Sequence, residues 1–177
     1  MKLAICVLLF FMIGLTTMAQ TNDTSITAAK DTLVKDPLSQ QPMLLGYCTR
    51  QAFQDTSFSW WFNSVYDMYE VDSASAELLK DKMNDISITI VMGTWCSDSR
   101  REVPKLFKIL DQLKFPQDKI AIITVGRDRK GRGTETDNLK IELVPTIIFY
   151  RNNSEIGRIV ESPKISLEKD MLKILEG

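Results

Sequence analysis

Along this chain, apolar residues come first as one unbroken run, then sparsely, then at helical spacing, and finally in short β-branched blocks separated by turns. The opening run, Leu3 to Leu15, follows Lys2, is interrupted only by Gly14, and gives way to Thr17-Met18-Ala19. A basic start, an apolar centre and a small-residue end describe a secretory signal. About 13 apolar residues are too few for a spanning helix, which needs roughly 20. Residues 1–19 are therefore expected to be a signal peptide removed on export, leaving a periplasmic or secreted protein with no membrane segment. Cys6 lies inside that segment.

Residues 20–42 are mostly Thr, Asn, Asp, Ser, Lys and Gln, with Pro37 and Pro42, and read as a flexible arm. An aromatic-rich extension, residues 43–72, follows. Within it Phe58, Trp61, Phe62, Val65, Tyr66 and Tyr69 keep the i, i+3, i+4, i+7 spacing of one helix face. That stripe reads as core packing or, less simply, as a groove for a partner. Asp72 or Ser73 caps a short helix reaching about residue 83, with Ala76, Leu79 and Met83 on one face.

Residues 86–92 form a buried strand by length and β-branched content, and an amphipathic helix over 97–113 follows. Val103, Leu106, Phe107 and Leu110 make its stripe, and Pro104 is expected to kink it. Residues 119–125 are a second buried strand. Residues 127–138 are a polar loop leading into a short helix near 138–141. Strands over 144–151 and 155–160 flank Asn152-Asn153, and Ser166 caps a last helix to Leu175. The turn at Asn152-Asn153 is too short for a parallel crossover, so those two strands form a hairpin. The order predicts an α/β fold, a mixed central sheet flanked by helices.

The 22 Lys and Arg against 23 Asp and Glu give a net charge of −1, which offers nucleic acid no basic footprint. There is no His, so neither a transition-metal site nor another cofactor is expected. Export would place Cys48 and Cys96 in an oxidising compartment, but two cysteines are too few for a disulfide scaffold.

The chemistry converges on Thr94-Trp95-Cys96-Ser97-Asp98-Ser99, between the strand over 86–92 and the following helix. A cysteine at a strand-to-helix junction lies near unpaired backbone N–H groups, a setting that favours the nucleophilic thiolate. The plainer reading is an inert cysteine. Ser99, one turn on, can hydrogen-bond that sulfur or cap the helix. Asp98 opposes a neighbouring thiolate, Arg100 and Arg101 favour it, and sequence does not give the net sign. Cys48 is open to three readings: a thiol that resolves adducts of Cys96, a structural disulfide partner of Cys96, or an idle residue. A Cys48–Cys96 bond would close a loop of about 49 residues, worth on the order of 4 kcal/mol. Arg127, Arg129, Lys130 and Arg132 read as a solvated loop or as a site for an acidic partner.

Several of these features together resemble the thioredoxin family. Trp95-Cys96-x-x-Ser99 is similar to that family's Trp-Cys-x-x-Cys motif with its last cysteine changed, and Pro104 follows Cys96 at the spacing of the family's helix proline. Val144-Pro145-Thr146 resembles its cis-proline loop, and the final hairpin and helix complete the pattern over residues 73–177. The resemblance implies a three-layer thioredoxin-like domain with an N-terminal helical extension. Residues 43–72 are then either an addition or a remodelled first strand and helix. It also implies thiol–disulfide exchange with protein or small-molecule thiols and disulfides. Cys96 would be the nucleophile, and Trp95, Ser97, Asp98, Ser99, Val144 and Pro145 the contact surface. Two departures stand out. Ile90 occupies the place of the family's buried acid, and Ser99 removes the local resolving thiol. The alternative implied by the same motif is a redox-inactive module that holds an extended peptide in the cis-proline groove.

Overall fold

The computed structural model describes residues 30–177. The expected signal peptide, Cys6 and the first part of the expected arm lie outside the described residues. In order, the elements are β1 (Leu33–Lys35), β2 (Pro42–Leu44), β3 (Gly46–Cys48), α1 (Thr56–Met68), α2 (Ser73–Lys80), β4 (Ile86–Met92), α3 (Ser97–Gln112), β5 (Ile120–Thr124), β6 (Thr146–Arg151), β7 (Ser154–Val160) and α4 (Leu167–Glu176). Strands β1 and β2 form a small hairpin, and the other five make a mixed sheet in the order β3-β5-β4-β6-β7.

Strand β4 occupies the centre because nearly every residue in it tolerates burial on both faces. It runs parallel to β5, with α3 as the crossover, and antiparallel to β6. The hairpin expected at Asn152-Asn153 is present, both residues adopting positive φ. Helix ends follow their caps: Asp55 accepts from Ser57 N–H, Asp72 from Ala74 and Ser75, and Ser166 from Lys169. Helix α3 is continuous through Pro104.

The two faces of the sheet are covered differently. Ile86, Ile88, Ile90 and Met92 face a cluster that takes in Phe58, Trp61 and Phe62 of α1, Leu79 of α2, Val103 and Phe107 of α3, and Met171 of α4. The opposite face carries Val91, Ile123, Val125 and Val144, packed against Trp95, Cys96, Leu139 and Ile141. Residues 126–143, which contain no regular element, supply that second cover; the short helix expected near 138–141 is a series of turns instead. Among the described residues no helix is long and apolar enough to cross a membrane.

Two sequence boundaries move. Residues 30–42 are not a loose arm. Leu33 pairs with Leu44 and Lys35 with Pro42, and Asp36 closes the turn by binding Leu38 N–H and Ser39 Oγ–H. The segment is held by hydrogen bonds and one ion pair, so its polar composition does not disclose it. Asp36-Pro37 does carry a turn signal, an acid followed by proline. The domain also begins before residue 73, because β3 is an edge strand of the main sheet, antiparallel to β5. Residues 43–72 thus contribute an edge strand and a helix to the same sheet and core.

Candidate active site

Cys96 is the N-cap of α3, with extended backbone, and its side chain makes no cap bond to the helix. Its N–H donates to Gly93 O at 2.9 Å and its carbonyl accepts from Arg100 N–H at 3.1 Å. That leaves Sγ free to point across the groove, where the thiol donates to Val144 O at 3.2 Å. The Val144–Pro145 peptide bond is cis. The sulfur is partly exposed, with exposed Ser97 beside it.

Trp95 is fixed from several directions. Its Nε1–H donates to Val125 O at 2.9 Å, and Arg127 lies over the ring with 4.8 Å from guanidinium carbon to centroid. Gly93 makes room for the ring from below: a Cβ there would meet the indole at 2.6 Å. Arg127 is itself clamped by Asp36, through Nε at 2.8 Å and Nη2 at 2.6 Å. Asp36 is only 1 % exposed. The Arg127 guanidinium, helped by Ser39, holds its carboxyl far below the usual carboxylate range. The β1–β2 hairpin is thus pinned to the tryptophan beside Cys96.

The remaining charges separate. Asp98 pairs with Arg101 at 2.7 Å, and Arg101 continues to Glu102 at 2.6 Å and Ser162 at 2.8 Å. Arg100 turns the other way. It donates to Thr94 O at 2.6 Å and lies 5.8 Å from the Trp61 centroid and 6.0 Å from that of Trp60. Burial and repulsion from Arg127 lower its pKa from the ordinary arginine value, while Cys96 acts in the opposite sense. Arg127 also interacts electrostatically with Cys96. Two guanidiniums therefore bear on one sulfur.

This geometry corrects several sequence expectations. Ser99 is fully buried and its hydroxyl accepts from Gly93 N–H at 3.3 Å, so it neither meets substrate nor bonds the thiol. Val144 and Pro145 are buried as side chains and offer only backbone to the groove. Asp98 is half-buried and already paired. Cys48 does not lie beside Cys96 in this fold. Both cysteines are free. Cys48 borders a cavity with Arg50 and Asp111, and Asp111 lies fifteen residues along α3 from Cys96, about 22 Å at 1.5 Å per residue. A disulfide needs Cα atoms within roughly 7 Å. Burial, reinforced by Asp31, pushes the Cys48 thiol well above the ordinary cysteine range. Sequence reasoning weighed Arg100 as a charge favouring a Cys96 thiolate and Arg127 as part of a solvated loop or acidic-partner site, and did not reach Asp36 or Gly93. Among the described residues no cluster of acidic and cysteine side chains is arranged to hold a metal ion.

No family model matches the chain. A stretch of 79 residues is 33 % identical to mitochondrial thioredoxin O of Oryza sativa subsp. japonica, covering 45 % of this chain and 43 % of that protein. The match spans less than half the length of that relative. With the sheet order and the cysteine facing the cis-proline loop, it decides the architecture. The fold is thioredoxin-like. Solved structures with partial likeness include a Pseudomonas aeruginosa protein of unknown function, at TM-score 0.48 and 18 % identity over 67 % of this chain and 81 % of that one. Thioredoxin O2 from Arabidopsis thaliana in its oxidized state aligns at TM-score 0.38 and 19 % identity, over 56 % and 87 %. In this thioredoxin-like domain the motif loop and the cis-proline loop meet at the sulfur of Cys96.

Proposed function

We propose that this protein is an exported thiol–disulfide oxidoreductase of the reductase or isomerase type, acting through Cys96 alone. The observation that carries this reading is the placement of Cys96: a partly exposed residue at the start of α3 whose sulfur lies 3.2 Å from the Val144 carbonyl of the cis-proline loop. In the first step the Cys96 thiolate attacks one sulfur of a substrate disulfide. A Cys96–substrate S–S bond forms, and the second substrate sulfur leaves with the electron pair as a thiolate. Ser99 cannot resolve this adduct, and Cys48 is buried at the far end of α3. Release therefore falls to a second substrate thiolate, which attacks the substrate sulfur of the adduct, re-forms a substrate disulfide and frees Cys96 (isomerisation), or to two equivalents of a small thiol, the first releasing the reduced substrate and the second freeing Cys96 as the small disulfide leaves (reduction).

Trapping tests the proposal. The exported protein, quenched in acid and alkylated, should carry reductant-sensitive adducts on Cys96 detected by non-reducing gel and mass spectrometry. Cys96→Ala should abolish them, together with turnover in a disulfide isomerisation assay. Cys48→Ala should leave the adduct population unchanged. An accessible Cys96 that forms no adduct and supports no exchange would refute the redox reading and leave a binding module.

A further inference from the structure

Arg100 is the charge beside Cys96 that the protein leaves uncompensated. Among the described residues Asp36 pairs with Arg127 and Asp98 with Arg101, whereas the Arg100 side chain donates to a neutral carbonyl, that of Thr94. The guanidinium is half-buried, and Arg127 repels it. It borders a cavity of about 410 Å³ whose other walls are Gln41, Pro42, Thr56, Ser57 and Trp60. Arg100 is the only charged residue in that lining. The Thr56 hydroxyl and the amide of Gln41 supply further donors, and Trp60, 65 % exposed, forms an open apolar side. The nearby Asp55 carboxylate lies outside the lining and is held by both the N–H and the hydroxyl of Ser57.

We infer that this cavity is a carboxylate subsite for the disulfide substrate: Cys96 selects partners that carry an acidic group beside the reacting sulfur, and Arg100 receives it. The inference rests on the redox reading of Cys96 and names the substrate class for it. A bound carboxylate relieves the repulsion between Arg100 and Arg127 and completes the unfilled coordination of the guanidinium. For unit charges about 6 Å apart, attraction changes a rate between about threefold in bulk water and about a hundredfold at an effective dielectric near 20. A preference near tenfold is expected at this half-exposed site, weakening as salt is added.

Three disulfides of matched length provide the test: dithiodipropionate (anionic), hydroxyethyl disulfide (neutral) and cystamine (cationic). Each transfers one half to the Cys96 thiolate and releases the other as a thiolate. Rates are measured by mass identification of the Cys96 adduct and divided by those of a free neutral thiol, which removes intrinsic leaving-group differences. The wild type should favour the anionic reagent about tenfold over the neutral one and disfavour the cationic one. Arg100→Gln should bring the three within about twofold, and Arg100→Lys should retain the order. Thr56→Glu, at an exposed position in the first turn of α1, should place a carboxylate in the cavity and erase the preference without touching Arg100. Peptide disulfides with Glu or Gln beside the cysteine separate the two sources of the acid. A preference confined to them assigns an acidic peptide segment; one shared by the small diacid assigns a small acidic thiol. No charge order in the wild type, or an order that survives both Arg100→Gln and Thr56→Glu, overturns the inference while leaving the redox reading standing. Failure of Cys96 to react even with hydroxyethyl disulfide overturns the redox reading, and this inference with it.

Discussion

Restoring a second thiol at position 99 gives the sharpest check on how the motif loop is built. Ser99 lies in the first turn of α3, three residues after the N-cap Cys96. Side chains three apart on a helix have Cβ atoms roughly 5–6 Å apart, and a disulfide needs about 3.5–4.5 Å, so Ser99→Cys requires only a small closure. Reduction and oxidation have opposite effects. In the reduced variant, Gly93 N–H loses the buried hydroxyl that it now meets at 3.3 Å. Sulfur is a weak acceptor, so the loss costs about 1 kcal/mol. For a chain of this size that lowers Tm by roughly 2–4 °C. Oxidation then closes a loop of about four residues, worth about 2 kcal/mol in the chain-entropy model. The oxidised variant should melt roughly 4–8 °C above its own reduced form. Calorimetry with and without reductant measures both steps, and mass spectrometry counts the thiols. With a small-thiol reductant supplied, the reduced variant should also turn over as a dithiol reductase: the introduced thiol attacks the mixed disulfide intramolecularly, releases the reduced substrate, and the resulting Cys96–position 99 disulfide is reduced by the small thiol. If no Cys96–position 99 disulfide forms while Cys96 still reacts with a small disulfide, the first turn of α3 does not have the geometry described above.

Three further outcomes are expected. Cys96 should alkylate much faster than Cys48 in the native state, since Cys96 is partly exposed while Cys48 is buried with its thiol held above the ordinary range; comparable rates by peptide mapping would contradict this. Asp36 has a depressed folded-state pKa, so its ion pair contributes stability that is present above the unfolded value of about 3.9 and is lost as pH falls through the folded value. The difference in urea midpoint between wild type and Asp36→Asn should therefore be constant near neutrality and shrink as the solution is acidified below pH about 4; a difference that does not shrink refutes the pairing. Gly93→Ala would bring a methyl group within 2.6 Å of the Trp95 ring, and should destabilise by about 1–3 kcal/mol as the indole is displaced. Denaturant melts and the rate of Cys96 alkylation should both register that change.

The parts of the fold legible in sequence are those whose stability comes from apolar burial. Ile86 to Met92 announces a buried strand because its polar positions are only the small Ser87 and Thr89 among Ile, Val and Met, and the structure buries every residue of it but those two, which are half-buried. The stripe Phe58, Trp61 and Phe62 announces the buried face of α1, which packs in the core with Phe107. What sequence conceals is order maintained by polar groups. The β1–β2 hairpin reads as a solvated arm because its anchor is a carboxylate, and the partner of that carboxylate is ninety-one residues away. Residues 127–138 read as a polar loop leading into a short helix near 138–141, yet the chain there forms turns and irregular structure, from which Leu139 and Ile141 close the second face of the sheet. Two isolated apolar residues give no period from which to infer this.

The same limit governs the candidate site, where the decisive quantity is not which charges are present but which are already spoken for. Asp98, Arg100 and Arg101 follow one another within a single turn, and their sum in sequence says nothing about the field at Cys96. Folding sorts them by direction. Asp98 and Arg101 meet at 2.7 Å and cancel on the outer side of α3, while Arg100 folds back over Trp61 toward the motif loop. Arg127 arrives from the end of β5, half neutralised by Asp36, and stacks on Trp95. The site lacks the buried carboxylate that the family resemblance would place at Ile90, and that side chain instead packs into the helical core. The buried acid of this region, Asp36 on the hairpin, reaches the site only through Arg127, and that pairing makes it a brace for Trp95 rather than a proton acceptor. A thiolate in this groove therefore faces one guanidinium with its own counter-ion and one without. The second is free to act on whatever anion approaches, the nucleophile itself or the acidic neighbour of the sulfur it attacks.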